Sequence, residues 1–85
     1  MPRTLRQIVG ERIMVLRHRK GLTQPELAHR SKMGITTLSR IEKAHNSPSI
    51  EKLVALAREL GCSADYLLGL AEEDKDSEQL AATVA

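Results

Sequence analysis

The stretch GLTQPELAHRSKMGITTLSRIEK, Gly21 to Lys43, decides how this chain folds, because two helix starts and one tight turn are packed into it. Thr23 followed by Glu26 is a capping box, in which each side chain satisfies a backbone N–H that the first helical turn leaves open. Pro25 stands in that first turn, where its missing N–H costs little, and Leu22 can staple onto Leu27. The helix can run only to about Ser31: Lys32-Met33-Gly34 reads as a short turn, and a new periodic stretch opens at Ile35. Two short helices therefore meet at a tight turn, the second extending from about Ile35 to Lys43.

Upstream, Thr4 and Gln7 form another capping box. Leu5, Ile8, Val9, Ile13 and Leu16 recur at helical spacing as far as the Gly21 stop, which predicts a helix over about Leu5 to Lys20. Downstream, Asn46-Ser47-Pro48 breaks the pattern and Ser49 caps a fourth helix. Its inner side is expected to carry Ile50, Leu53, Val54, Leu56, Ala57 and Leu60 before Gly61 ends it. Ser63 caps a short fifth helix, Ala64 to about Leu68, with Gly69 as its stop. The 85 residues hold no Trp or Phe and one Tyr. A core of Leu, Ile, Val, Met and Ala suits packed helices better than a sheet, and the expected fold class is all-α.

A chain of this length supports one compact domain with one modest core. The net charge of +2 is unevenly spread. Residues 1–70 hold 12 Lys and Arg against 6 acids, or +6, while residues 71–85 hold 1 against 5, or −4. The expected organisation is a basic folded domain over 1–70 followed by an acidic, flexible tail over 71–85, in which Leu80 and Val84 form a helix only if a partner covers them. The single Cys62 cannot form an internal disulfide and reads as a buried thiol in a reducing compartment. No apolar run approaches the roughly 20 residues of a membrane span, and Met-Pro-Arg-Thr does not begin a signal peptide, so a soluble, cytoplasmic protein with no membrane partner is expected.

Gly21-Leu22-Thr23-Gln24, Glu26-Leu27-Ala28, Leu38-Ser39-Arg40-Ile41-Glu42, Pro48-Ser49-Ile50 and Asp65-Tyr66-Leu67-Leu68-Gly69 occur in order and without gaps. In this series the chain resembles the Cro/cI-type, or XRE-type, helix-turn-helix family over about Ile8 to Gly69. The resemblance implies a five-helix, lambda-repressor-like domain that binds double-stranded DNA. It also implies that Gln24 clamps the DNA backbone and that Glu42 pairs with Arg17 of the first helix, an ion pair that orients the recognition helix. Two departures bear on the turns. Lys32 and Ala44 occupy positions where the family usually has Gly, the first at positive φ, and Ser31 stands where an apolar residue is common. Either the helix-turn-helix turn is reshaped, or Lys32 bears strain on the order of 1 kcal/mol.

The residues support the same reading physically. Spaced 100° apart, Leu38 and Ile41 fall on one side of the third helix with Thr37 beside them, and Ile35, Thr36, Ser39, Arg40 and Lys43 share the opposite arc. Arg can donate two hydrogen bonds to guanine, and Thr or Ile methyls can touch the thymine methyl. Thr36 and Arg40 are therefore the expected main base readers, with Ile35 and Ser39 secondary. Phosphate contacts are expected from Gln24 at a helix start, from Lys43, His45, Asn46 and Ser47 in the loop leaving the groove, and from Arg17 nearby. Ala28 is small because the second and third helices approach closely.

No chemistry of another class competes. His18, His29, His45 and Cys62 lie on separate elements without ligand spacing, so no metal is expected. No nucleophile elbow, Gly-rich phosphate loop or paired carboxylates occur, so neither an enzyme nor a cofactor is expected. The chain leaves no room for a sensing domain, and no small-molecule ligand is expected either. The favoured function is a transcriptional regulator, usually a repressor, binding a palindromic operator as a homodimer through Tyr66, Leu67 and Leu70. The alternative is a protein-interaction module, antitoxin-like or adaptor, built on the same fold.

Overall fold

The computed structural model describes residues 2–72, so the expectations placed on residues 73–85 lie outside the described residues. Five helices follow in order: α1 (Leu5–Arg19), α2 (Gln24–Arg30), α3 (Ile35–Glu42), α4 (Ile50–Leu60) and α5 (Ala64–Leu67). Several end one residue earlier than expected, the usual ambiguity of a cap residue.

Four of the five starts are locally encoded by side-chain caps, and α3 begins at Gly34 without one. Thr4 Oγ1 accepts from the Gln7 N–H at 3.2 Å while Gln7 Oε1 accepts from the Thr4 N–H at 2.8 Å. Thr23 and Glu26 repeat this reciprocal bonding at 3.2 and 2.9 Å. The Thr23 backbone N–H, helped by its hydroxyl, holds the Glu26 carboxyl below its usual range. Ser49 and Ser63 cap α4 and α5 by accepting from Lys52 and Tyr66 N–H groups.

The core is aliphatic: Val9, Ile13, Leu16, Leu27, Ala28, Leu38, Ile41, Leu56, Ala57, Leu60, Leu67 and the expected buried thiol of Cys62. Two residues expected on the inner side of α4, and Leu5 of the apolar series of α1, are exposed. Leu5 is 57% exposed, Ile50 78% and Val54 38%. On α4 the apolar arc is wider than the core it meets. Leu53, Leu56, Ala57 and Leu60 form the buried stripe, and Ile50 and Val54 lie past its edge towards solvent.

Two left-handed residues shape the turns around α3. Lys32 has φ 57° and Ala44 φ 64°, so the helix-turn-helix turn keeps the backbone that glycine would favour instead of being reshaped. The Met33 N–H closes that turn on the Ala28 carbonyl at 2.9 Å, and the His45 N–H closes the next on the Arg40 carbonyl at 2.9 Å. Both side chains are held where L-residues are strained by about 1–2 kcal/mol.

The far end of α3 is anchored on α1 in two ways. Gly10 is buried where the helices cross, and a Cβ there would sit 2.5 Å from the Ile41 carbonyl oxygen and 2.8 Å from that of Glu42. The backbones touch, which only glycine allows. Further along α1, Arg17 Nε donates to Glu42 Oε2 at 2.7 Å, Nη2 to Oε1 at 3.0 Å and Nη1 to the Leu22 carbonyl at 2.9 Å. The two side chains are only 10% and 3% exposed.

Two stability changes follow. Lys32→Gly is expected to raise unfolding free energy by about 0.5–1 kcal/mol, strain relief partly offset by a more flexible unfolded chain; a denaturation midpoint that stays put or falls would contradict a strained turn. Glu42→Ala leaves the Arg17 guanidinium buried without its counter-charge and should cost about 3–5 kcal/mol in the same measurement, whereas a loss well below 1 kcal/mol would mean that water already screens the pair.

Candidate nucleic-acid interface

Burial divides α3 as its periodicity requires. Leu38 and Ile41 are 0% and 1% exposed. Ile35, Thr36 and Arg40 face outward, with Ser39 half-buried between them. These four side chains, together with Gln24 from α2 and Lys43 and His45 from the exit loop, line a single open depression of about 390 Å³. The expected base readers and three of the expected phosphate contacts thus converge on one surface. Asn46 and Ser47 are exposed further along the exit loop.

Gln24 is tied into the anchor of the recognition helix. Its Nε2 donates to Glu42 Oε1 at 2.9 Å; the carboxylate can only accept, so the amide nitrogen must face it. A continuous chain Arg17–Glu42–Gln24 therefore runs from the protein interior to the rim of the depression. Arg17 itself is the exception among the expected phosphate contacts. Its guanidinium is spent on Glu42 and the Leu22 carbonyl, and its Nη2 also lies 3.1 Å from His18 Nε2. Of the two roles expected for Arg17, the structure assigns the ion pair, because a side chain only 10% exposed offers little to a ligand.

The electrostatic consequence is local. Glu42, bonded to the Gln24 that lines the depression, is neutralised from behind by Arg17, while Arg40 and Lys43 are exposed. The surface therefore presents hydroxyls, an aliphatic side chain and two cations that no acid pairs among the described residues, a combination matched to base edges flanked by phosphates.

The expected self-association residues are partly displaced. Leu67 is 0% exposed, turned into the core by α5, so it is not available to a partner. Tyr66 is half-buried beneath Arg12, whose guanidinium carbon lies 4.3 Å from the ring centroid. Arg12 Nη1 also donates to the carbonyls of Tyr66 and Ala71 at 2.7 and 2.8 Å, strapping α5 to α1. Only Leu70, 75% exposed, remains open. Sequence reasoning passed over Arg12 and Gly10. The signal for Arg12 was its place four residues after Ile8 and four before Leu16, on the apolar side of α1, where a cation needs partners.

Among the described residues no three His, Cys, Asp or Glu side chains gather where a metal ion could be held, and no helix is long and apolar enough to cross a membrane.

Comparison with known proteins agrees with this geometry. The helix-turn-helix family model HTH_3 matches residues 13–67, more than half of the chain. The chain is 34% identical over 70 residues to the HTH-type transcriptional regulator ImmR of Bacillus subtilis, covering 82% of this chain and 55% of that protein. It is 36% identical over 62 residues to repressor protein C2 of Salmonella phage P22, covering 73% of this chain and 29% of that one. The chain thus spans about half of the first relative and under a third of the second. Among solved structures, the clp gene regulator ClgR of Corynebacterium glutamicum superposes with a TM-score of 0.75 at 29% identity, over 96% of this chain and 85% of that one. Family and relatives are transcription regulators and not enzymes. The ordered motifs, the five-helix fold and the exposed arc of α3 have one common explanation: this chain belongs to the XRE-type, Cro/cI-like family of helix-turn-helix DNA-binding transcriptional regulators.

Proposed function

We propose that α3 enters the major groove of a palindromic operator and that the chain acts as a homodimeric repressor in the cytoplasm, without a cofactor or small-molecule ligand. The observation that carries this reading is the single outward arc of Ile35, Thr36, Ser39 and Arg40 bordered by Gln24, Lys43 and His45. Thr36 and Arg40 read base edges, Ile35 and Ser39 add contacts, and Gln24, Lys43, His45, Asn46 and Ser47 hold the phosphates. Repression is favoured because P22 C2, a relative, is named a repressor.

One short recognition helix reads only about 4–6 base pairs, so useful specificity requires two half-sites about one helical turn apart. A second copy must then sit beside the exit loop, not behind the domain. An apolar groove lies there, lined by Leu5, Val9, Pro48, Ile50, Leu53 and Leu68, with Arg6 and Ser47 at its border. Ile50 and Leu5 stand exposed at this groove. The self-association face is therefore assigned to the Ile50 side of α4 together with Leu70, in place of Leu67. The same apolar groove favours a second reading, in which it takes another protein and the chain serves as an interaction module.

Selection of bound duplexes from random sequence tests the favoured reading, and a two-fold symmetric motif is the expected result. On that site Arg40→Ala should cost about 1–3 kcal/mol and relax one position, and Lys43→Ala should weaken all duplexes alike and lower the salt slope by about 1. Recovery of no motif, with salt-insensitive binding, would favour the interaction module. For the dimer, an Ile50→Asp, Leu70→Asp double variant should sediment as a monomer at concentrations where the unaltered chain is dimeric; an unchanged dimer would place the interface elsewhere.

A further inference from the structure

The arginines on and just before α1 are not equivalent. Arg3 is ion-paired with Glu11, Arg12 is spent on two carbonyls and the Tyr66 ring, and Arg17 is buried on Glu42. Arg6 differs from all three. It is exposed, no acid pairs with it among the described residues, and its Nε donates to Ser47 Oγ at 3.1 Å. A guanidinium carries five N–H groups, so both terminal nitrogens of Arg6 keep theirs for another ligand.

Its position in the fold gives that vacancy a direction. Positions 6, 10, 13 and 17 recur at helical spacing and share one face of α1. On that face Arg17 bonds Glu42 and Gly10 touches the Ile41 and Glu42 carbonyls. Arg6, one turn before Gly10, lies past the end of α3 where the exit loop goes by. Lys43, His45, Asn46 and Ser47 are all exposed on that loop, and Arg6 continues their strip onto α1.

We propose that Arg6 binds a phosphodiester of duplex DNA, with Ser47 holding its guanidinium in place, so that the anion-binding strip runs from Gln24 through the exit loop to the first turn of α1. This rests on the duplex-binding reading above. The planar fork matches two phosphate oxygens, and the bond to Ser47 restricts its rotation before the ligand arrives. A phosphate carries no sequence information, so Arg6 contributes to affinity and orientation and not to base choice.

Titration of duplex binding against salt tests this, using the full chain, its selected site and an unrelated duplex. Arg6→Gln should reduce the slope of log affinity against log salt by about 0.9, a loss of about tenfold at 0.1 M salt, equally on both duplexes. Arg6→Lys, which keeps the charge, should retain most of the slope. The inference is overturned if Arg6→Gln keeps the full slope while Lys43→Ala loses its share. It is also overturned if Arg6→Lys loses as much as Arg6→Gln, which would reduce Arg6 to a tether for the exit loop. If the unaltered chain ignores every duplex at low salt, the duplex reading itself falls, and this inference falls with it.

Discussion

The recognition helix is useful only if its outward face is held still, and that depends on the contact between the end of α3 and α1. Gly10 brings the two backbones together, and the Arg17–Glu42 pair locks them with two parallel hydrogen bonds. A buried ion pair is a poor source of net stability, because desolvating both charges offsets much of their attraction. What it supplies is direction. The two-pronged geometry permits one rotation of α3 about its axis, and it is this rotation that sends Leu38 and Ile41 inward and Thr36 and Arg40 outward.

The same pair sets the charge of the surface. A carboxylate beside the groove would repel phosphates, and Glu42 escapes this by facing Arg17, leaving Arg40 and Lys43 without a competing anion among the described residues. Gln24 links the pair to the rim, since its amide bonds Glu42 on the inside. The rim of the depression is thereby tied to the α1–α3 anchor through a single hydrogen bond.

Strain and apolar exposure are placed around this anchor and not within it. Lys32 and Ala44, both at positive φ, flank α3 at the turns that enter and leave it, where the helix must reverse direction within a few residues. Ile50 and Leu5 are left open at the apolar groove bordered by Ser47 of the exit loop. The backbone bonds from the Met33 and His45 N–H groups to the Ala28 and Arg40 carbonyls close these turns, so the cost of the left-handed residues is offset by local hydrogen bonds rather than by the anchor itself.

Several features were determined by the sequence alone because their causes are local. Capping boxes at Thr4 and Thr23, serine caps at 49 and 63 and the 3.6-residue period of α3 fix helix starts and the two sides of the recognition helix within a few residues of chain. The pairing of Arg17 with Glu42 was legible only through family resemblance. Tertiary structure decided the rest, because it concerns distances between elements. Arg17 loses its place among the phosphate contacts only once Glu42 and Leu22 surround it. Leu67 is lost to the interface only once α5 packs inward, and Ile50 comes free only because the α4 stripe is wider than the core. Gly10 is an unremarkable helical glycine in the sequence; that nothing larger fits there follows from the carbonyls of Ile41 and Glu42, which approach it from a helix some 30 residues away.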